Sequence, residues 1–147
     1  MAIAEQQPAE LLRSALCGRS LTRVEPWEFG WTFGFDADDT TITSQSLWRV
    51  MTDRIVLSSG DHLQRFGLPE PIDAGQYAAS VLLGQVIDVA LMPATSDLRI
   101  VFPSNVILEL LNTSAGYEGW HLAWRSGKRK TIELIALGGG DLVIVPG

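Results

Sequence analysis

The stretch that decides the fold is residues 27–35, with the sequence WEFGWTFGF. Its five aromatic residues alternate with Glu28, Gly30, Thr32 and Gly34. Successive side chains of a β-strand point to opposite faces of the sheet. The alternation therefore predicts one strand with all five aromatic side chains on the face toward the core. The two glycines on the other face predict that another segment of backbone approaches closely there.

Further strands are predicted on both sides of this stretch from apolar alternation and intervening turn residues. Turns of two to five residues make neighbouring strands antiparallel. The predicted strands are 42–51, 54–59, 86–91, 98–102, 106–111, 120–124, 130–137 and 142–145. The fold class predicted is α+β, with a mostly antiparallel sheet system of about 8–9 strands and two helices.

Both helices have recognisable ends. The first begins at Pro8, which suits the first helical turn because its missing N–H has no partner there anyway, and it ends at Gly18. The second follows Asp73, with Gln76 three residues later in a capping-box pattern, and it ends at Gly84.

The two helix ends also resemble each other. Residues 14–21 (SALCGRSL) parallel 80–87 (SVLLGQVI), and positions 31, 33 and 35 parallel positions 98, 100 and 102. This pattern predicts two repeated helix-plus-meander units, 8–62 and 73–125. We interpret the chain as a single domain over 1–147, because each half is close to the lower size limit for independent folding.

Composition narrows the classes of function. The chain has 147 residues, 46% of them hydrophobic, and a formal net charge of −6. This charge argues against nucleic acid and anionic membranes as partners, because both attract basic surfaces. The longest uncharged run, 74–87, is shorter than the about 20 residues of a membrane span. A lone cysteine, Cys17, excludes an internal disulfide, which favours a cytoplasmic location.

One candidate site surrounds a Gly-Asp-His turn. Asp61 next to His62 is an arrangement that can orient an imidazole, and Arg49 beside Trp48 suits a carboxylate or phosphate. Neighbours on an extended chain point apart, however, so no catalytic residue is assigned. The alternatives are a turn with a surface histidine, and an ion pair of Arg49 with Asp61 or a neighbouring acid.

A second candidate site is the segment that contains Tyr117, Glu118, Trp120 and His121. Tyrosine and tryptophan combine apolar bodies with polar tips, which suits an interface. The alternative is a loop that packs its aromatic rings on the core and exposes Glu118. The chain has two histidines, no paired-histidine helical motif and no cysteine pair, so we predict no metal and no cofactor.

Several short segments occur in a recognisable order. They are WR (48–49), GDH (60–62), FG (66–67), PIDA (71–74), Gly84, DLRIVF (97–102) and YEGW (117–120). Together they resemble a family of small uncharacterised bacterial proteins, over roughly residues 21–122. The resemblance implies a bacterial, cytoplasmic, single-domain protein without an established activity. Immunity proteins that neutralise toxins offer an analogy in size and acidity only.

Three functional hypotheses follow. The first is a non-enzymatic binding domain for an unknown protein partner, with seven binding candidates: Trp48, Arg49, Asp61, His62, Tyr117, Glu118 and Trp120. The second is a small-molecule site or enzyme, in which the side chains of Arg49, Asp61, His62 and Glu118 converge. The third is a homodimer whose exposed sheet edge or aromatic surface is covered by a second copy.

Overall fold

The computed structural model describes residues 7–36, 40–125 and 131–146. The helices are α1 (Pro8–Leu16) and α2 (Ala74–Val81). The strands are β1 (Leu21–Trp27), β2 (Gly30–Phe35), β3 (Thr41–Ser44), β4 (Trp48–Met51), β5 (Ile55–Ser58), β6 (Asp88–Leu91), β7 (Leu98–Phe102), β8 (Val106–Leu110), β9 (Trp120–Arg125), β10 (Thr131–Ala136) and β11 (Leu142–Val145). Lys130, predicted to start a strand, lies outside the described residues.

These strands form two sheets. The larger has the order β1-β2-β3-β9-β10-β11, and the smaller has the order β5-β4-β8-β7-β6. Every strand pair is antiparallel. The predicted class, α+β with antiparallel sheets and two helices, is confirmed. The predicted number of strands was too low, because predicted strand 42–51 is broken in two and because residues 21–26 form most of β1, for which no strand was predicted.

The first break falls within the aromatic stretch. Trp27 pairs with Gly30 across a two-residue turn, so 27–35 forms a hairpin and not one strand. Only the aromatic side chains at 31, 33 and 35 are buried, whereas Trp27 and Phe29 are exposed. A Cβ added at Gly30 would overlap the carbonyl oxygen of Ser44. The close backbone approach expected at the glycines is therefore found here.

The second break falls within predicted strand 42–51. The chain leaves β3 in the larger sheet and enters β4 in the smaller one. Each sheet consequently combines strands from both halves of the chain. The larger sheet joins the meander β1-β2-β3 to the meander β9-β10-β11 through β3–β9, and the smaller sheet joins the meander β6-β7-β8 to the hairpin β4-β5 through β8–β4. Each helix likewise packs against a strand from the other half of the chain. α1 contacts β6, and α2 contacts β1.

The segments that follow the two helices meet where the halves of the chain cross. Gly18 and Gly84 both have φ of +83°, a conformation that favours glycine. The N–H of Gly18 donates to the carbonyl of Val86 at 2.9 Å, and the N–H of Val86 donates to the carbonyl of Arg19 at 2.8 Å. These bonds tie the chain after α1 to the chain after α2.

A continuous hydrophobic core lies between the sheets. The Trp48 ring of the smaller sheet packs edge-to-face against Trp31 and Phe33 of the larger sheet, with centroid distances of 5.0 and 5.4 Å. Such geometry adds to the stabilisation from burial. Apolar residues from both helices, among them Leu12 and Ala78, belong to the same core.

Local signals place both helices. α1 begins at Pro8 as predicted, and the Asp73 side chain caps α2 by accepting the N–H of Gln76 at 3.0 Å, which is one half of the predicted capping box. The helices end at Leu16 and Val81, a little before the glycines predicted to end them. Neither helix of the described segments is long and apolar enough to cross a lipid bilayer.

The crossed topology predicts that neither half folds alone. A chain cut between Leu68 and Pro69, in an exposed loop, separates β3 from β9 and β4 from β8. We expect each fragment to show no cooperative urea transition, and an equimolar mixture to regain one, measured by circular dichroism. A cooperative transition in either fragment by itself would contradict the crossing.

The docking of α2 on β1 predicts a cost for a small substitution. A Cβ added at Gly75 would overlap the carbonyl oxygen of Val24. Overpacking outweighs the better helix propensity of alanine, so we expect Gly75→Ala to lower the free energy of unfolding by about 1–2 kcal/mol. The exposed control Gln76→Ala should change it by less than about 0.5 kcal/mol. Equal urea midpoints for the two variants would show that the helix is not held this closely.

Candidate functional site

A groove of about 610 Å³ lies between the β1–β2 turn, the β3–β4 junction and the loop before β9. We call it the Tyr117 groove. Phe29, Leu47 and Tyr117 line it with their exposed apolar side chains, and Trp31 lines it from the core. Among the described residues that line it, Glu118 alone carries a charge. Exposed large apolar side chains gathered in one groove are typical of a binding surface.

Hydrogen bonds fix the loop that carries Tyr117. The Ser114 hydroxyl oxygen accepts the N–H of Gly116 at 3.1 Å and the N–H of Tyr117 at 2.9 Å. The N–H of Gly119 then donates to the carbonyl of Ala136 at 2.9 Å. The Tyr117 side chain is nevertheless 80% exposed. The loop is therefore positioned by its backbone, and the tyrosine ring remains accessible.

Asn112 anchors the base of this loop. Its Nδ2 donates to the carbonyl of Thr95 at 2.9 Å and to the carbonyl of Leu137 at 2.8 Å. Its backbone N–H donates to Oδ1 of Asp97 at 2.7 Å. One side chain thereby holds together three connections: the β6–β7 turn, the β8–β9 loop and the β10–β11 turn.

The opposite side of the groove is built from two turns. Phe29 is 64% exposed, and its ring packs edge-to-face on Trp27 at 5.4 Å. Leu47 is exposed as well, while its carbonyl accepts the N–H of Leu111 at 2.9 Å. The Ser46 hydroxyl donates to the carbonyl of Leu111. These bonds hold the backbone of the β3–β4 junction and leave the Leu47 side chain exposed.

A loop with two strained backbone positions follows the groove-lining residues Ser59 and Gly60 along the chain. The N–H of Leu63 donates to the carbonyl of Ile72, and the N–H of Ile72 donates to the carbonyl of Gln64, both at 2.8 Å. Leu63 and Phe66 have φ of +65° and +46°, yet both side chains are exposed. Such conformations cost of order 1–3 kcal/mol each and concentrate at functional sites.

This loop, residues 62–72, begins at the groove itself. Ser59 and Gly60 line the groove, and the His62 ring packs edge-to-face on Trp31 at 4.9 Å. The exposed side chains of Leu63 and Phe66 therefore lie only a few residues along the chain from the groove lining.

The Asp-His pair has structural partners. Oδ2 of Asp61 accepts the N–H of Ser58 at 2.9 Å and caps a single 3-10 turn, Ser59–Asp61. Nδ1 of His62 accepts the N–H of Ala74 at 3.1 Å, at the first residue of α2. The proton of the neutral imidazole is then on Nε2.

Arg49 is engaged elsewhere. Its Nε and Nη2 both lie 2.6 Å from Oε1 of Glu109, a residue of β8. The alternative interpretation of Arg49, an ion pair with a neighbouring acid, is thus the one observed. Within the described residues, no hydrogen bond or ion pair joins any two of Arg49, Asp61, His62 and Glu118.

The remaining candidates divide between core and surface. Trp48 and Trp120 are buried, and Nε1 of Trp120 donates to the carbonyl of Ser96 at 2.8 Å. Nε1 of Trp48 has no hydrogen-bond partner among the described residues. Tyr117 and Glu118, in contrast, are exposed at the groove.

Sequence reasoning missed two groove residues, Phe29 and Leu47. The aromatic alternation continues unchanged through the turn at 28–29, so it concealed the exposure of Phe29. Leu47 falls where one predicted strand spans two sheets. A signal for that break was available in the polar run 43–46 (TSQS), which interrupts the apolar alternation.

Cys17 follows α1 and is half-buried. Burial raises the pKa of its thiol, and the Asp88 carboxylate raises it further, against a smaller opposing effect of Arg13. The reactive thiolate form is therefore disfavoured.

Comparison with protein-family models, with curated proteins and with solved structures finds no match to this chain. In the parts of the chain that the structure describes, no three His, Cys, Asp or Glu side chains gather as metal ligands.

The capping role of His62 predicts a loss of stability on substitution. His62→Ala removes the acceptor of the Ala74 N–H and the ring contact with Trp31, so we expect the free energy of unfolding to fall by about 1–2 kcal/mol. The matched control is His121→Ala, because that ring makes only a partly exposed contact of 3.2 Å with Glu133. It should cost less than about 1 kcal/mol. Urea titrations of both variants measure the difference, and a smaller loss for His62→Ala would refute the capping role.

Proposed function

We propose that the protein is a non-enzymatic protein-interaction domain that binds its partner at the Tyr117 groove. One observation carries the proposal: Phe29, Leu47 and Tyr117 stay more than half exposed around the groove while hydrogen bonds hold the surrounding backbone. Rigid aromatic side chains give a large contact area for a small entropy cost. The separate structural partners of Arg49, Asp61 and His62 favour this function over an enzyme built on those side chains.

The charge of the groove indicates the chemistry of the partner. Glu118 is its charged lining residue, Glu28 neighbours Phe29, and the chain carries a net charge of −6. We propose a partner protein that inserts a lysine or arginine, flanked by apolar residues, between Tyr117 and Glu118. The cation gains from the aromatic ring and the carboxylate together, and charge complementarity raises the association rate.

The loop 62–72 extends this binding surface. Leu63 and Phe66 are exposed, so they contribute little burial to the stability of the isolated chain, although their backbone conformation is unfavourable. A partner that covers them gains apolar contact with side chains whose backbone is already ordered. We propose that they act as secondary anchors beside the groove.

A role in neutralising a basic partner, as immunity proteins do, is compatible with this surface. The support is the acidity of the groove together with the small size of the chain. Membership of the bacterial family described above, a cytoplasmic location and the absence of nucleic-acid partners stay predictions.

We also propose that the chain arose by internal duplication. The support is the matching strand order, in which β1-β2-β3 joins β9-β10 as β6-β7-β8 joins β4-β5. Trp48 pairs with Leu110, and Trp120 pairs with Ser44, in corresponding places of the two sheets. The two units, predicted as 8–62 and 73–125, would then be interleaved, because each sheet contains strands of both.

Partner capture tests the interaction site. The tagged wild-type chain is used to capture proteins from bacterial lysate, and the captured protein is identified, purified and titrated by calorimetry. We expect a basic protein, with binding weakened about tenfold or more by Glu118→Lys and by Tyr117→Ser. The control is Tyr77→Ser, an exposed tyrosine on α2 that lies outside the groove lining.

The outcomes separate the hypotheses. Equal binding by the groove variants and the control would overturn the groove as the site. Capture of a second copy of the same chain, lost in the groove variants, would replace the basic partner with the predicted homodimer. Unfolded variants are excluded beforehand by their urea transitions.

A further inference from the structure

The outer face of the smaller sheet carries a row of charged side chains. Arg49 of β4 pairs directly with Glu109 of β8, which pairs in turn with Arg99 of β7. Their neighbours along each strand, such as Trp48 and Leu108, face the core and are buried. Because side chains alternate between faces, the three charged groups lie side by side on the face directed away from the core.

Glu109 is buried although it lies on an outer face. Its side chain is 4% exposed, whereas those of Arg49 and Arg99 are 33% and 44% exposed. Nε and Nη2 of Arg49 lie 2.6 Å from Oε1, and Nε of Arg99 lies 2.7 Å from Oε2. Both carboxylate oxygens are therefore used, and the carboxylate fixes the positions of two guanidinium groups.

The three side chains together carry one net positive charge, and some guanidinium N–H groups remain available as hydrogen-bond donors. In the described residues the terminal nitrogens of Arg99 make no hydrogen bond. The acids of neighbouring strands are engaged elsewhere: Asp88 contacts Arg13 at 3.4 Å, and Asp97 accepts the N–H of Asn112. A buried carboxylate is costly to desolvate, so an apolar residue would stabilise the sheet at least as well.

We propose that Arg49 and Arg99 form a binding site for an oxyanion, either a phosphate or a carboxylate group. Guanidinium groups bind both through paired, charge-assisted hydrogen bonds. In the next row of the same face Ile107 pairs with Met51 on one side and with Val101 on the other, and all three are partly exposed. Asp88, which contacts Arg13, ends this row beyond Val101. The ligand is thus an oxyanion on an apolar group. This site is independent of the Tyr117 groove.

Arginine side-chain NMR tests the site in the full-length protein. Nε–Hε correlations are followed while sodium phosphate, or in a second arm N-acetylglutamate, replaces sodium chloride at constant ionic strength. The signals of Arg49 and Arg99 should shift and saturate in at least one arm, and the arm that saturates identifies the oxyanion. The signals of Arg13 and Arg54 serve as internal controls and should shift less, without saturation.

Two substitutions make the test specific. Arg99→Gln should weaken binding, followed at Arg49, about tenfold, whereas Arg54→Gln, at an exposed arginine of the β4–β5 turn, should leave it unchanged. If backbone amide spectra show that Arg99→Gln disturbs the sheet, Arg99→Lys replaces it as the test variant. Lysine keeps the positive charge but lacks the planar guanidinium group with its paired N–H donors, so binding should still weaken. The proposal is overturned if all arginine signals respond alike, if none saturates, or if the Arg99 variants bind as the wild type does.

Discussion

The edge-to-face contact between Trp31 and Trp48 is the interaction on which the rest of the structure depends. It joins the two sheets through two buried indole rings. Trp31 also contacts His62, whose Nδ1 accepts the first N–H of α2, and it lines the Tyr117 groove. One indole thus connects the core, the start of a helix and the candidate binding surface. Close packing around Trp31 therefore also constrains the shape of the groove.

The molecule combines a tightly packed interior with exposed apolar side chains around the Tyr117 groove. Phe29 and Tyr117 project from backbone segments that are fixed in position. The hydrogen bonds of the Tyr117 loop, the close approach of Gly30 to Ser44 and the contacts of Asn112 hold these segments in place. A surface of this kind loses little conformational freedom when a partner binds. Because the backbone is fixed, the two rings also stay exposed in the free protein, where they do not contribute to the packing of the core.

The sequence predicted those elements correctly whose positions are determined by interactions between residues close together in the chain. Pro8 and Asp73 mark helix starts by chemistry within one turn, and both are found where expected. Most strands follow from alternation with a buried face. The aromatic stretch 27–35 was wrongly predicted to be one strand, because a two-residue turn preserves the alternation. A hairpin and a long strand therefore have the same sequence pattern. Pairing between β3 and β9 depends on residues about eighty positions apart, which periodicity does not encode.

The candidate site was predictable to the same limited extent. Tyr117 and Glu118 are exposed at the groove, in a segment whose composition suggested an interface. Trp48 and Trp120 belong to the core because Val50 and Leu122, two residues further on, face the same way. Glu109 was hidden inside the apolar run 106–111, where its function depends on arginines from two other strands.

The crossing of the two halves also has a consequence for biosynthesis. The larger sheet is incomplete until β9 is available to β3, and β4 likewise waits for β8. During translation, the first five strands therefore leave the ribosome with unpaired edges and an uncovered aromatic face. Long-range pairing of this kind slows folding and exposes the chain to aggregation. The nascent protein is accordingly expected to be a chaperone client until most of its length has been made.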